Sequence, residues 1–219
     1  MSFSLSHGKP LDVGCIGISD QELPPFDEGP VDIRRWFAPE RSGQSLELEV
    51  GCGKGTFLLQ VASQTPQVSY VGLEYAQAYW RYAADRCRRR GLENVRLVRA
   101  EAHFFIRNYV CDGCFRQVHI YFPDPWPKKR HHKRRLITVP YLRQLHRTLQ
   151  SGGLVRIATD HAEYFDWIGE QASAVSQQFE RLPFSRPQSV GEDELAGTNF
   201  ERKYRREGRP LYGLVLRKT

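Results

Sequence analysis

From Leu46 onward the chain alternates short apolar runs with longer amphipathic ones, and this rhythm restricts its fold more than any other property. Leu46-Glu47-Leu48-Glu49-Val50 has the two-residue period of a strand and stops at Gly51. Ahead of it, residues 31–37 read as a short helix. Residues 56–63 then read as a helix, 68–73 as a strand, and 77–90 as a helix that Gly91 closes. The pattern continues with a strand at 95–98, a short helix at 103–109 and a strand at 118–122. A loop with three prolines occupies 123–135, followed by a helix at 136–149 that Ser151-Gly152-Gly153 stops. Beyond it lie a strand at 154–158, a helix at 162–178, a strand at 179–182, a polar insertion at 185–197, a short helix at 199–206 and a last strand at 211–216. Strands and helices at this spacing form βαβ units around a parallel sheet. Ligands of such sheets bind beyond the carboxyl ends of the strands. Each of the five strand ends from 50 to 158 carries an acid at or beside it: Glu49, Glu74, Glu101, Asp124 and Asp160.

The first turn reads Glu49-Val50-Gly51-Cys52-Gly53-Lys54-Gly55-Thr56. Gly51, Gly53 and Gly55 let the backbone turn tightly and approach a ligand closely. A dinucleotide fingerprint wants glycine at 56, where Thr56 stands. The pattern is GxGxG with an acid just before it, and it resembles motif I of the class I methyltransferases. The chemistry differs accordingly. A pyrophosphate needs a helix N-terminus aimed at anionic oxygens. S-adenosylmethionine offers an ammonium and a sulfonium, for which carboxylates are suited. Glu74 stands where a carboxylate accepts from ribose hydroxyls, and Glu101 where an acceptor takes an adenine amino group. Any one of these acids alone could be an ordinary surface residue. Three together, each at a strand end behind such a turn, point to a cofactor.

The segment after the fourth strand is the most informative: Phe122-Pro123-Asp124-Pro125-Trp126-Pro127-Lys128-Lys129-Arg130-His131-His132-Lys133-Arg134-Arg135. Its prolines fix the backbone, so Asp124 and Trp126 are held in a set geometry. Trp126 is either a stacking face for a base or a structural wall. Residues 128–135 are all Lys, Arg or His, in a chain of formal net charge +7. A charge run is usually a solvated face, but one beside a candidate active site reads better as phosphate contact. Arg81, Arg86, Arg88, Arg89, Arg90, Arg96 and Arg99 either extend that surface or are solvated.

These residues resemble the tRNA (guanine-N7-)-methyltransferase family of the bacterial single-chain type. The resemblance runs from about Leu46 to Lys218. It includes Gly72-Leu73-Glu74, Ala158-Thr159-Asp160 and Thr198-Asn199-Phe200-Glu201. It implies an α/β fold of the class I S-adenosylmethionine-dependent methyltransferases, Rossmann-like, with a mostly parallel seven-stranded sheet and an antiparallel last strand. It implies methyl transfer from S-adenosylmethionine to N7 of guanosine 46 in the tRNA variable loop. By the resemblance, Glu49, Gly51, Gly53, Gly55, Glu74, Glu101, Ala102 and Asp124 meet the cofactor. Lys128, Asp160, Thr198, Asn199, Phe200 and Glu201 meet the guanosine. Arg130, His131, His132, Lys133, Arg134 and Arg135 meet the RNA backbone. The sequence departs from the family pattern at Glu101, where many relatives have Asp, and at Lys203, where Arg is frequent. Residues 1–30 hold only Lys9 as Lys or Arg, where relatives carry a basic arm.

Guanine N7 already carries a lone pair, so methyl transfer to it needs no strong base. Positioning and electrostatics are expected to dominate, with Asp124 as the catalytic carboxylate facing the positive charge that develops on the imidazole ring. The rival expectation is a catalytically silent RNA-binding protein on the same fold. No run approaches the roughly 20 apolar residues of a membrane span, and residues 1–10 lack the apolar core of a signal peptide, so a cytoplasmic protein without a membrane partner is expected. Five cysteines do not make a disulfide scaffold. Cys111 and Cys114 have CxxC spacing without a second ligand pair, so no metal is expected. An irregular leader at 1–30 and a single methyltransferase domain at 31–219 complete the expectation, either as a monomer or as a homodimer.

Overall fold

A computed structural model describes residues 10–187 and 196–219. The first nine leader residues and residues 188–195 of the polar insertion lie outside the described residues. The chain forms two compact units, Met1–Val110 and Cys111–Thr219.

The first unit holds β1 (Gly17–Ile18), β2 (Ser45–Val50), α1 (Thr56–Gln64), β3 (Val68–Glu74), α2 (Gln77–Arg89), β4 (Val95–Arg99) and α3 (Ala102–Tyr109). Its strands run in the order β1-β4-β3-β2, and all pairs are parallel. β2 is covered on both faces, as interior parallel strands are: Leu46, Leu48 and Val50 are buried, and so are Glu47 and Glu49. Helix α2 ends at Gly91 as expected. Gly91 N donates to Arg88 O at 2.9 Å and Leu92 N to Cys87 O at 3.2 Å, with Gly91 at φ 64°. That pair of bonds is a Schellman closure. The leader adds the short strand β1 at the edge of this sheet. Two bridges reinforce it, Arg88 to Asp12 at 3.2 Å and Arg99 to Asp20 at 3.1 Å. In place of the short helix expected at 31–37 there is a single 3-10 turn, Ile33–Trp36.

The second unit holds β5 (Phe115–Tyr121), α4 (Val139–Thr148), β6 (Leu149–Thr159), α5 (Ala162–Ser173), β7 (Phe179–Pro183), α6 (Asn199–Arg206) and β8 (Tyr212–Lys218). β5 and β6 are parallel, and β8 lies antiparallel to both β6 and β7, giving the order β5-β6-β8-β7. The antiparallel last strand is thus as expected. Several boundaries differ, among them the end of α5, which stops at Ser173 instead of residue 178. The loop at 123–135 contains a 3-10 helix, Lys129–Arg134. Helix α4 starts three residues late, because Thr138 caps it by accepting from Tyr141 N at 3.4 Å. Ser151-Gly152-Gly153 does not stop a helix; it lies inside β6. Register jumps there from Phe115 opposite Leu149 to Gln117 opposite Leu154, and Gly152 takes φ 70°. Glycine in a strand marks such a bulge.

Candidate active site

In the first unit, β2 and β3 pair so that Glu49 faces Gly72 and Val50 faces Leu73. Gly51 N and Cys52 N then both donate to Leu73 O at 2.9 Å, which folds the glycine turn over the end of β3. Gly51, Gly53 and Gly55 all have positive φ, at 74°, 53° and 69°. A side chain at Gly55 would also meet Ala83 Cβ of α2 at 2.9 Å. At Gly51 and Gly53 the space a side chain would fill is open, which leaves the backbone approachable by a ligand.

The three acids of this half differ in state. Glu49 is 4% exposed. Its Oε2 has no hydrogen-bond partner among the described residues. Burial, and then the charge of Glu74, push its carboxyl up to about 8. An orphaned buried carboxyl oxygen beside an open glycine turn fits a cationic ligand group such as an ammonium. Glu74 accepts from Gly53 N and from Ala76 N, both at 2.8 Å, so it ties the turn to the chain after β3. Its remaining lone pairs are still open to hydroxyl donors. Glu101 caps α3, accepting from His103 N at 3.0 Å and Phe104 N at 2.7 Å, and Ala102 is the first residue of that helix. Glu101 also lines a cavity of about 240 Å³ with Asp20, Leu23, Tyr75, Arg99 and Phe104. That volume is below the roughly 300–1,000 Å³ of complete small-molecule sites, and it suits one ring system.

In the second unit, the loop after β5 is strained as a preorganised site would be. Phe122 and Trp126 have φ of 53° and 44°, and they are the non-glycine residues with positive φ among those described. Such conformations cost of order 1–3 kcal/mol each, so the prolines and packing around them must hold them. Asp124 is exposed on this loop. Asp160, after β6, accepts from Arg209 Nη1 at 3.0 Å. Both carboxylates act on Tyr204 of α6: burial first, then Asp160, and more weakly Asp124, push its phenol upward. Tyr204 and Asp160 share Arg209 as a neighbour, whose guanidinium carbon lies 4.7 Å from the Tyr204 ring centre. The Tyr204 ring stacks with exposed Phe200 at 6.1 Å and meets Phe122 edge-on at 5.6 Å. Tyr204 and Arg209 were missed in the sequence; the signal for Tyr204 was its position one helical turn after Phe200.

Among the expected site residues, Glu201 and Arg135 are buried. Glu201 is fully buried. It accepts from Ala196 N at 2.7 Å, Gly197 N at 3.0 Å and Arg205 Nε at 2.8 Å, so its side chain builds the start of α6. Thr198 caps the same helix, accepting from Glu201 N at 3.1 Å, while Asn199 and Phe200 stay exposed. Arg135 is 2% exposed and does not face RNA. Its Nε donates to Pro125 O at 3.0 Å and its Nη2 to Glu163 Oε1 at 2.9 Å, with the rings of Tyr164 and Trp167 each 5.2 Å away. Lys128, Lys129, Arg130, Lys133 and Arg134 are exposed, and His131 and His132 are half-buried. Trp126 is partly claimed: Arg134 lies 4.9 Å over its ring and His131 meets it edge-on. Among the described residues no group of three or more His, Cys, Asp or Glu is arranged to hold a metal, and no helix is long and apolar enough to cross a membrane.

A family model described as "Putative methyltransferase" matches residues 43–214. The chain is 34% identical over 197 residues to the tRNA (guanine-N(7)-)-methyltransferase of Alkalilimnicola ehrlichii, covering 90% of this chain and 81% of that one. The chain belongs to the tRNA (guanine-N7-)-methyltransferase family. The tRNA (guanine-N7-)-methyltransferase of Thermus thermophilus is 42% identical over 149 residues, which cover 65% of this chain and only 47% of the relative. That of Rhodopirellula baltica is 34% identical over 181 residues, 80% of this chain and 66% of the relative. Among solved structures, a 30S ribosomal A1408 methyltransferase from an uncultured bacterium aligns with a TM-score of 0.59 at 13% identity, over 86% of this chain and 95% of that one. The tRNA (m1A58) methyltransferase of Aquifex aeolicus aligns at 0.52 and 19% identity, over 80% and 62%. These likenesses show the fold of the class I S-adenosylmethionine-dependent methyltransferases, as the sequence implied.

Proposed function

We propose that this protein transfers a methyl group from S-adenosylmethionine to N7 of guanosine 46 in the variable loop of tRNA, acting in the cytoplasm. The observation that carries the reading is the strained loop Phe122–Trp126, with Asp124 on it and five exposed cations directly after it, in a chain of this family. Residues 31–219 act as one methyltransferase domain, a reading supported by the unbroken family match over 43–214.

The cofactor supplies an electrophilic methyl carbon on a sulfonium. Glu49, with its unpartnered Oε2, takes the ammonium. Glu74 accepts from the ribose, and the cavity beside Glu101 takes the adenine. Gly51, Gly53, Gly55 and Ala102 bring backbone close to the ligand. Asp124 is the carboxylate that faces the imidazole ring of guanine as that ring becomes positive, so its stabilisation is larger in the transition state than in the ground state. Asp160 holds the N1–H and N2–H₂ edge, and Phe200 and Tyr204 supply the aromatic floor an unstacked base requires. Lys128 stands at the guanosine, and Lys129, Arg130, Lys133 and Arg134, with His131 and His132, contact the RNA backbone.

The test is methylation of unmodified tRNA by the purified chain with labelled S-adenosylmethionine, followed by nucleoside analysis and mapping. The expected product is 7-methylguanosine at position 46. Methyl on another atom, or no transfer to tRNA at all, overturns the reading.

A further inference from the structure

Arg209 lies just after α6 and has three partners. Its Nη1 donates to Asp160 Oδ2 at 3.0 Å, its Nε pairs with Glu207 Oε2 at 2.8 Å, and its guanidinium carbon sits 4.7 Å from the centre of the Tyr204 ring. A planar cation thus lies over an aromatic ring and donates N–H to a carboxylate. The other neighbours of Tyr204 are aromatic, Phe200 and Phe122, with Lys203 Nζ 5.7 Å from its centroid.

N7-methylated guanine has the same chemical outline. It is planar, it carries positive charge after methylation, and its N1–H and N2–H₂ form a donor edge. A guanidinium presents planar N–H donors in a fixed fork, and a cation over a tyrosine face is attracted by the ring quadrupole.

We propose that Arg209 is a stand-in for the guanine: in the RNA-free protein its guanidinium occupies the Tyr204 face and the Asp160 carboxylate, and the target purine takes over both. The inference rests on the function proposed above and adds Tyr204 and Arg209 to the site. Two consequences follow from it. Binding of the base must displace Arg209, so Arg209 competes with guanine. The site also favours the charged, methylated purine over neutral guanine, because both partners interact more strongly with a cation.

The experiment uses the full chain and two probes, guanosine and 7-methylguanosine, titrated by calorimetry against the parent and Arg209→Ala. Arg209→Ala should bind 7-methylguanosine about tenfold more tightly, the effect of removing one competing interaction of ~1.4 kcal/mol. Guanosine should gain by about the same factor, because a competitor that both purines displace weakens both alike, and the preference for the charged purine is read as tighter 7-methylguanosine binding by parent and variant. Adding Asp160→Asn or Tyr204→Ala to Arg209→Ala should remove the gain. Unchanged or weaker 7-methylguanosine binding by Arg209→Ala overturns the inference, as does a gain that survives Tyr204→Ala. Transfer by the parent separates the two levels. A parent that methylates guanine N7, with an Arg209→Ala that binds no better, loses this inference alone. A parent that methylates no tRNA loses the function and the inference with it.

Discussion

Arg135 Nη2 donates to Glu163 Oε1 at 2.9 Å, although the guanidinium is 2% exposed and the carboxylate is exposed. This bond anchors the end of the cationic run to the first turn of α5, and the bond from Arg135 Nε to Pro125 O anchors the proline loop as well. The last cation of the run is thus the fastener for the others.

Arg135→Ala should therefore behave as a core substitution. It removes hydrogen bonds to a carbonyl and a carboxylate, and a cation 5.2 Å from each of two aromatic rings, for a loss of about 2–4 kcal/mol. Arg135→Lys keeps the charge but not the fork and should lose part of that. Urea unfolding gives the values. A variant as stable as the parent would return Arg135 to the exposed set.

The exposed cations make a separate prediction. Lys129→Gln, Arg130→Gln and Lys133→Gln together should weaken tRNA binding and lower the slope of log affinity against log salt by roughly 0.7–0.9 for each phosphate that the protein no longer neutralises. Filter binding at several salt concentrations measures it. The fold should be unaffected, because these side chains face solvent. A slope equal to the parent's removes the segment from the RNA interface.

These two cases show what the sequence disclosed and what it did not. Strand and helix periods placed β2, β3 and β4 and their helices within a residue or two, because each apolar position there meets a neighbour one element away. The charge run was legible as a run. Composition could not separate Arg135 from Arg134, since what distinguishes them is the packing of Tyr164, Trp167 and Glu163, which comes from α5. Glu201 shows the same limit. As the third residue of α6 behind Thr198 it has the form of a capping pair, and nothing in its sequence position announced its burial. Tyr204 and Arg209 carry no motif, and only the folded chain sets them against Asp160.

Asp124 is exposed on a strained loop, so its removal should cost activity and not stability. Asp124→Asn and Asp124→Ala should lower kcat by ~100-fold or more, the usual loss when one preorganised electrostatic group is removed. The thermal midpoint should stay near the parent's. Single-turnover methylation at saturating tRNA and cofactor separates kcat from binding. A rate within a few-fold of the parent's assigns the developing charge to another group.

Glu49 connects the proposed cofactor site to pH. Burial, and the nearby Glu74, raise its carboxyl from 4.5 to about 8, so the folded chain binds this proton more tightly than the unfolded chain does. The stability it contributes is complete below the unfolded value and is lost as pH rises through about 8. Glu49→Gln removes the titration, so its stability should decline less across that window and exceed the parent's on the alkaline side. Ligand binding should run the other way. An ammonium requires the ionised form, so near neutral pH the parent should release a proton as it binds S-adenosylmethionine, and Glu49→Gln should release none from this position and bind at least about tenfold more weakly, the equivalent of ~1.4 kcal/mol. Calorimetry in two buffers of different ionisation enthalpy counts the protons. If the parent and Glu49→Gln release the same number, Glu49 does not take the ammonium, and its unpartnered oxygen needs another explanation.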